Sequence, residues 1–200
     1  MNRIVKLPEN LVNLIAAGEV IDRPASIVKE LLDNSIDAGA TKIEVELIEA
    51  GKRQIKISDN GFGIDKEDLE LTIVNHATSK IQSEDQLHQL ASMGFRGEAL
   101  ASISSIASIN IDTKTESKPG AMLLSSPGEK HRILKSNKTK PGTTITIQKL
   151  FDNTPVRQKF LKSESTELKH TLAVIKSLAI INPKIKITAT NNEKTILNLP

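Results

Sequence analysis

The feature that most limits the fold of this 200-residue chain is a series of short segments in which apolar and polar residues alternate. From Lys42 to Ile48 an apolar residue stands at every second position, and after Gly51 the pattern resumes with Ile55 and Ile57. A period of two is typical of strands with one buried face. The two segments are therefore predicted to form an antiparallel pair.

Further strand patterns fill the middle and the end of the chain. The predicted strands are 107–112, 122–125, 132–135 and 143–149, followed by two short strands that flank Asn191 and Asn192. Pro-Gly pairs at 119, 127 and 141 separate the middle strands. Pro fixes φ and Gly tolerates positive φ, so these pairs favour turns between strands.

Helical patterns lie mainly before and after these strands. The predicted helices are 10–17, 24–39, 65–74, 84–92, 96–105 and 166–181. Helices around a central block of strands predict an α+β fold, a two-layer sandwich with helices on one face of a mostly antiparallel or mixed sheet. Residues 1–200 contain no internal repeat or low-complexity linker, so we expect a single domain.

The composition excludes several classes of protein. There are no cysteines, and the four histidines have no ligand-like spacing, which excludes a disulfide framework and a metal site made of thiolates or imidazole clusters. The sequence has no long apolar run and no signal peptide, so we expect a cytoplasmic protein with no membrane association. Four Phe without Tyr or Trp disfavour a protein that stacks single-stranded bases on aromatic rings.

Charge is distributed unevenly along the chain. Residues 1–100 carry 11 Lys and Arg against 17 Asp and Glu, whereas residues 101–200 carry 16 against 7. Between positions 114 and 162 the count is 11 basic to 3 acidic. This asymmetry indicates a ligand site in the first half and a surface for a polyanion in the second, with a solvated lysine-rich face as the alternative.

The first candidate site lies on the helix predicted from Pro24. Glu30 and Asn34 are four residues apart and therefore project from one face of that helix. A carboxylate there can align and deprotonate a water molecule, and an amide oxygen can ligate Mg²⁺, which prefers hard oxygen ligands. Asp33 and Asp37 show that acidic residues are frequent here, so a plain surface pair is the alternative.

The second candidate is the segment DNGFGI at 59–64, directly after a predicted strand. Asp59 can accept a hydrogen bond from an exocyclic amine while a flat ring lies on the glycines, which suits adenine. A simple tight turn is the alternative, because Asn and Gly tolerate positive φ. P-loop and dinucleotide-fold sites are excluded, since no Gly-x4-Gly-Lys-Ser/Thr string exists and Lys66 stands where a third glycine would be needed after Gly61 and Gly63.

The third candidate is GFRGEAL at 94–100, which places Gly94 and Gly97 at the start of a predicted helix. Free amides and the positive end of the helix dipole favour phosphate there. Thr78, Ser79 and Lys80 precede it in a polar loop and supply two hydroxyls and a cation. A Gly-x-x-Gly clamp also occurs in RNA-binding KH modules, although Glu98 fits that alternative poorly.

Taken in order, these segments resemble the Bergerat-type (GHKL) ATPases, a superfamily that includes gyrase, heat-shock chaperones, histidine kinases and MutL. The similarity is greatest to the MutL family of DNA mismatch repair proteins and covers residues 11–199. The matching strings are IAAGEV at 15–20, RPASIVKELLDNSIDAGA at 23–40, DNGFGI at 59–64, HATSKI at 76–81, GFRGEALASISSI at 94–106 and NTPVRQKFL at 153–161. The strings at 94–106 and 153–161 are the most specific and separate the MutL family from gyrase.

The resemblance implies a role for each candidate residue. Glu30 is expected to be the general base of a slow ATP hydrolysis, and Asn34 a ligand of Mg²⁺. Asp59 is expected to accept from the adenine amino group, with Gly63 close to the ring and Thr143 supporting the pocket. The phosphates are expected beneath a lid at 75–100, bound by Thr78, Ser79, Lys80, Gly94, Phe95, Arg96, Gly97, Glu98, Ala99 and Leu100.

The resemblance also implies partners. In the family, ATP orders the lid and an N-terminal arm, here 1–18, and two ATPase domains then dimerise as a clamp that works with a mismatch-recognition protein of the MutS type. Double-stranded DNA is the expected polyanion. The stretch 114–162 has few aromatic residues with which to contact bases, so that binding is expected to be sequence-independent. Gln158 replaces a usual Arg, which weakens the expectation of a DNA contact there.

The family's second domain, which contributes a lysine to the γ-phosphate, and its C-terminal dimerisation domain lie outside these 200 residues. The expectation is therefore either a fragment or a minimal protein that needs a partner. Two alternatives stay open: a nucleotide-binding module without useful turnover, and a GHKL ATPase domain with another function.

Overall fold

The structure is a computed structural model that describes residues 21–79 and 97–200, together with Val5, Pro8, Val12, Ile15, Ala17 and Gly18. The helix predicted at 84–92 lies outside the described residues. So do four of the expected phosphate-binding residues: Lys80, Gly94, Phe95 and Arg96.

The described helices and strands follow one another along the chain. In order they are α1 (Pro24–Asp37), β1 (Lys42–Ile48), β2 (Gln54–Asp59), α2 (Ala99–Ile106), β3 (Ser108–Lys114), β4 (Ala121–Ser125), β5 (Arg132–Lys135), β6 (Gly142–Gln148), α3 (Pro155–Phe160), α4 (Glu164–Ile181), β7 (Lys186–Asn191) and β8 (Lys194–Leu199). Single 3₁₀ turns occupy Glu49–Gly51 and Leu71–Ile73. Val12, Ile15, Ala17 and Gly18 are also helical, in line with the helix predicted at 10–17.

The eight strands form one sheet in the order β5-β4-β3-β6-β2-β1-β7-β8. Only β1 and β7 pair in parallel; the other neighbours in this sheet are antiparallel. One row of paired apolar residues crosses all eight strands: Leu197, Ala189, Val45, Ile57, Ile145, Ile111, Leu123 and Ile133. The alternation seen in the sequence thus produces a sheet with one continuous apolar face.

The helices cover that apolar face. Buried residues of α1, α2 and α4, among them Leu31, Ile103 and Ile175, belong to the same core cluster as the inward strand residues. The next row of the sheet carries polar side chains, for example Glu44, Ser58 and Thr144, and stays partly exposed. The fold class predicted from the sequence, a two-layer sandwich with helices on one face of a mostly antiparallel sheet, is confirmed.

Helix α1 has the Pro at its start and the Gly after its end that the sequence predicts. Pro24 occupies the first turn, where its missing N–H removes no helical hydrogen bond. The helix ends before Gly39, which has a φ of 68°, and the amide of Gly39 bonds to the carbonyl of Ile36. The helix thus ends close to the loop that follows β2, because the amide of Phe62 donates to the carbonyl of Ala38 at 3.0 Å.

Three element predictions need correction. The helix expected at 65–74 is wrong: this segment forms turns and the 3₁₀ turn at Leu71–Ile73, because the carboxylate of Asp65 binds Thr115 and Lys118 and does not cap a helix. The helix expected at 96–105 runs from Ala99 to Ile106. Helix α3 was not predicted. Within the described part of the chain, no helix is long and apolar enough to cross a membrane.

Candidate functional site

Asp59, the last residue of β2, accepts on its carboxylate from three donors among the described residues. Oδ1 accepts from the amides of Gly61 at 2.9 Å and Thr143 at 3.2 Å, and Oδ2 accepts from the hydroxyl of Ser35 at 3.1 Å. An ionised carboxylate has about four acceptor positions, so capacity for a further donor remains. The side chain is therefore held in one orientation and can still accept from a ligand.

Ser35 connects this carboxylate to α1. Its hydroxyl lies 3.1 Å from Asp59 Oδ2 and also 3.1 Å from the carbonyl of Leu31, one helical turn earlier. Ser35 follows Asn34 directly, and Glu30 lies one turn before Asn34 on the same face of the helix. The structure thus brings the Asn34 end of α1 to the end of β2 that carries Asp59.

Glycines allow close backbone contacts around Asp59. A Cβ on Gly142, which has a φ of 121°, would lie 2.1 Å from the carbonyl oxygen of Asp59. A Cβ on Gly63, with a φ of 78°, would lie 2.1 Å from the carbonyl oxygen of Lys114. Neither position can hold a side chain without a backbone shift. The wall beside Asp59 is consequently glycine backbone packed directly against neighbouring backbone.

Two buried threonines support this wall from β3 and β6. The hydroxyls of Thr143 and Thr113 lie 3.1 Å apart, and Thr113 also accepts from the amide of Ile64 at 2.8 Å. Thr113 is fully buried, and Thr143 nearly so. Since Thr143 donates its amide to Asp59, one hydrogen-bonded chain joins the carboxylate, two strands and the segment after the glycines.

Glu30 is three-quarters buried, with 25% of its side chain exposed. The ammonium of Lys29 lies 3.5 Å from Glu30 Oε1 and 2.9 Å from Asp33 Oδ2. The hydrogen bond to Asp33 is the main reason that the pKa of Lys29 is raised above its usual value, with attraction to Glu30 adding to it. Lys29 therefore stays charged beside two carboxylates, and Glu30 keeps partial access to water.

Thr78 and Ser79 lie beside the start of α2. The amide of His76 donates to the carbonyl of Gly97 at 3.1 Å, and a Cβ on Gly97 would lie 2.3 Å from the carbonyl oxygen of Ala77. These contacts bring His76 and Ala77, directly before Thr78, against Gly97, the residue two positions before Ala99. Glu98 also lies 3.2 Å from His76 Nδ1.

Sequence reasoning missed Ser35 and Thr113. Ser35 stands four residues after Leu31, so it is a polar residue on the buried face of α1, and this is a signal that could have been used. Thr113 gave no such signal, because its role follows from its pairing with Thr143 across β3 and β6. Among the described residues, no three Asp, Glu, His or Cys side chains cluster to hold a metal ion.

Comparison with known proteins places this site in a family. The sequence model for histidine kinase-, DNA gyrase B-, and HSP90-like ATPases matches residues 22–153. The DNA mismatch repair protein MutL of Shewanella piezotolerans is 46% identical over 196 residues, which are 98% of this chain and 32% of that protein. MutL of Neisseria meningitidis serogroup C is also 46% identical, over 100% of this chain and 30% of its own length. The chain thus spans about a third of these relatives.

Solved structures agree with the sequence comparison. The Aquifex aeolicus MutL ATPase domain complexed with ADP superposes with a TM-score of 0.72 at 34% identity, over 90% of this chain and 64% of that one. The N-terminal domain of a DNA repair protein gives a TM-score of 0.75 at 35% identity, over 94% and 55%. The chain belongs to the histidine kinase-, DNA gyrase B-, and HSP90-like ATPase family, and within it the similarity is to the N-terminal ATPase domain of MutL.

Proposed function

We propose that this chain binds ATP and hydrolyses it slowly with Mg²⁺, as the nucleotide-gated clamp domain of a MutL-like mismatch repair protein. The observation that carries the proposal is the Asp59 carboxylate, held by Gly61, Thr143 and Ser35 beside close-packed glycine backbone. This arrangement suits the amino group and the flat face of adenine. The ADP complex of the Aquifex aeolicus MutL ATPase domain supports the same ligand class.

In this proposal Glu30 is the general base. It aligns a water molecule and takes its proton as the water attacks the γ-phosphate, a task that suits a partly exposed carboxylate one helical turn from the metal ligand. Asp59 accepts from the adenine amine, while Gly63 and Thr143 form the wall of the pocket. Binding and turnover are thereby assigned to different residues.

The metal site in this proposal is small. The amide oxygen of Asn34 is a hard donor on the same helix face as Glu30, and Mg²⁺ usually keeps several waters and phosphate oxygens in addition to one or two protein ligands. A site with one protein oxygen therefore fits the ion. When bound, Mg²⁺ would neutralise charge on the phosphate oxygens.

The start of α2 is the proposed phosphate site. The first amides of a helix lack helical acceptors and carry the positive end of its dipole, so the segment from Gly97 to Leu100 suits an anion. Thr78 and Ser79 lie next to this segment through the contact of Ala77 with Gly97. Lys80, Gly94, Phe95 and Arg96 complete the proposed lid at 75–100.

The clamp in this proposal closes between two copies of the chain. ATP orders the lid and the N-terminal arm at 1–18, and the two ATPase domains then dimerise and cooperate with a mismatch-recognition protein of the MutS type in the bacterial cytosol. Similarity to MutL over nearly the whole chain supports these roles.

Isothermal titration with ADP and a nonhydrolysable ATP analogue tests the proposal. Glu30→Ala is expected to bind both ligands like the wild type and to lose hydrolysis by ~10²- to 10⁴-fold, the usual effect of removing a general base. Asp59→Asn is expected to abolish binding, since its amide can present a donor to the adenine amine. Glu44→Ala, on the polar face of the sheet, is the control and should change neither property.

Three results would change this conclusion. A wild-type chain that binds neither nucleotide would refute it. Equal loss of binding in Glu30→Ala and Asp59→Asn would refute the division of roles. Binding without any hydrolysis in a single-turnover experiment would favour the alternative of a nucleotide-binding module.

Double-stranded DNA is the proposed polyanion for the basic half. The structure divides the basic stretch, because Lys114 donates to the carbonyls of Thr115 and Lys118, and Lys118 binds Asp65 and Glu67. The other basic residues fall into two groups along the chain, of which Lys138 also donates to Thr144 on β6: Lys130, Arg132, Lys135, Lys138 and Lys140 in and after β5, and Lys149, Arg157, Lys159 and Lys162 in and around α3.

Counterion release makes this part of the proposal measurable. If about five of these side chains contact duplex phosphates, the plot of log K against log salt should have a slope of roughly −4 to −5, with no preference for sequence. A flat response, or strong preference for one sequence, would refute phosphate-dominated binding.

A further inference from the structure

The segment at 63–70, which continues from the wall beside Asp59, packs against the end of β3 and the turn that follows it. Gly63 lies against the carbonyl of Lys114, and the amide of Ile64 donates to Thr113. Beyond Ile64 the described backbone hydrogen bonds at 65–71 are local: Asp68 to Asp65, Leu69 to Lys66 and Leu71 to Asp68. Side chains must therefore provide the remaining attachment of this segment to the sheet.

Leu69 attaches the segment through its side chain, which is fully buried in the core, and Lys118 provides a polar attachment. Its ammonium donates to Asp65 Oδ2 at 2.9 Å and to Glu67 Oε2 at 3.1 Å, and the hydroxyl of Thr115 donates to Asp65 Oδ1 at 3.1 Å. The hydrogen bonds to Asp65 and Glu67 raise the pKa of Lys118, and the bond to Asp65 contributes most. The same bond is the main cause of the lowered pKa of Asp65. One cation thus holds two carboxylates 51 and 53 positions earlier in the chain.

Lys114 fixes the turn from which Lys118 extends. Its ammonium donates to the carbonyl of Thr115 at 2.8 Å and to that of Lys118 at 3.2 Å. Lys114 consequently closes the turn after β3, and Lys118 joins this turn to the segment at 63–70. Two cations of the basic stretch therefore act within the protein.

We propose that Lys118 is a positioning residue for the nucleotide site. By binding Asp65 and Glu67, it keeps Gly63 and Ile64 against β3, and it thereby sets the affinity for an adenine nucleotide. Lys118 has no role in the chemistry itself. The inference rests on the proposed function, since it assigns adenine to the surface beside Asp59.

The exposure of this cluster makes its contribution dependent on salt. The exposed fractions of the side chains are 46% for Lys118, 36% for Asp65 and 69% for Glu67. Pairs exposed to this extent are screened by added salt, and each contributes modestly. Removing both pairs should therefore weaken nucleotide binding by a small factor that disappears at high ionic strength.

Titration of ADP into the wild type, Lys118→Ala, Lys118→Arg and Lys140→Ala at ~50 mM and ~500 mM salt tests this proposal, since these values span strong and weak screening. Lys140 is an exposed lysine of the same basic stretch, so its removal matches the change in net charge. At low salt, Lys118→Ala should bind ADP about 2- to 10-fold more weakly than Lys140→Ala, as expected for two exposed ion pairs. Lys118→Arg should recover most of the difference, and high salt should abolish it.

A kinetic measurement separates positioning from a general loss of structure. Lys118→Ala should raise KM for ATP and leave kcat unchanged, because the wall contributes equally to binding of the ground state and the transition state. Equal ADP affinity in Lys118→Ala and Lys140→Ala at low salt would overturn the proposal, as would a fall in kcat at constant KM. Absence of ADP binding by the wild type would instead refute the proposed function, and this inference with it.

Discussion

Asp59, at one end of the candidate site, accepts from two buried amides and a buried hydroxyl. The start of α2, at the other end, has fewer polar contacts with residues 76 and 77, its neighbours in the described part of the chain. There, one backbone hydrogen bond joins His76 to Gly97, and the side chains of His76 and Glu98 are 79% and 34% exposed. At the Asp59 end, by contrast, Thr113 is fully buried and Thr143 nearly so.

The difference matches what each end binds in the proposed function. Adenine is the same in ATP and ADP, so a rigid pocket loses nothing by being fixed in advance. The number of phosphates changes during turnover, so the segment proposed to contact them has to rearrange. We infer that stability is concentrated around Asp59 and that the Gly97 end is the more easily opened part of the site.

The largest effect is expected from adding a methyl group at each end in turn. Gly142→Ala puts a Cβ about 2.1 Å from the carbonyl oxygen of Asp59 at a φ of 121°, and should lower the free energy of unfolding by about 3 kcal/mol or more. Gly97→Ala clashes with Ala77, but the partly exposed turn can separate, at a cost of about 1–2 kcal/mol. Urea denaturation gives both values.

The comparison would fail if the two variants were equally destabilised. Nucleotide binding provides a second criterion, because Gly142→Ala should displace the Thr143 amide from Asp59 and abolish ADP binding. Gly97→Ala should retain ADP binding and mainly weaken the preference for the triphosphate.

The next largest effect is expected from Thr113→Val. The substitution keeps the shape of the side chain but leaves the amide of Ile64 and the hydroxyl of Thr143 without their partner in a buried place. A cost of about 1–3 kcal/mol in the free energy of unfolding is expected, together with weaker ADP binding. Thr146→Val, on the partly exposed polar face of β6, is the matched control and should change stability by less than about 0.5 kcal/mol. Similar values for the two variants would contradict the role assigned to Thr113.

The sequence predicted most of the sheet because burial of one face imposes a period of two on every strand. The strand Lys42–Ile48 and its antiparallel partner were predicted correctly for this reason. The parallel pairing of β1 with β7 could not be predicted in the same way, since it joins Val45 to Ala189 and depends on the packing of α4.

The candidate site shows the same difference between features set by local sequence and features set by distant contacts. Glu30, Asn34 and Asp59 were identified from their residue types and local spacing, and their roles stay predictions until nucleotide binding is measured. The helix expected at 65–74 does not form, and a distant residue, Lys118, binds the Asp65 carboxylate at the start of that segment. Local pattern therefore predicts elements and candidate residues, whereas contacts across the sheet determine which of them meet.

The pH dependence of the Lys118 contacts should be flat in the physiological range. The pKa of Asp65 is below its usual 3.8, mainly through the hydrogen bond from Lys118. The contribution of the Asp65–Lys118 pair to stability is therefore complete above pH 3.8 and disappears as pH falls through the lowered pKa. The pKa of Lys118 is above 10.5, mainly through the hydrogen bond to Asp65, so the contribution of the pair to stability disappears as pH rises through that raised pKa. The ratio of ADP affinities between wild type and Lys118→Ala should therefore be constant from about pH 6 to pH 9, and a change of more than about twofold would contradict these assignments.

The smallest effect is expected at the Gly97 end, from His76→Ala. His76 has a φ of 65° and a side chain that is 79% exposed, and its Nδ1 lies 3.2 Å from Glu98 Oε1. An exposed pair of this kind contributes a few tenths of a kcal/mol at most, so the free energy of unfolding should be unchanged within error. The backbone hydrogen bond from the amide of residue 76 to Gly97 stays available in the variant.

Hydrogen exchange of amides 97–102 should nonetheless become faster in His76→Ala, since the side-chain contact contributes to closing this end, while the amides of Gly61 and Thr143 should exchange as in the wild type. Faster exchange at both ends would mean that the site opens as one unit and that the contrast between its ends is wrong.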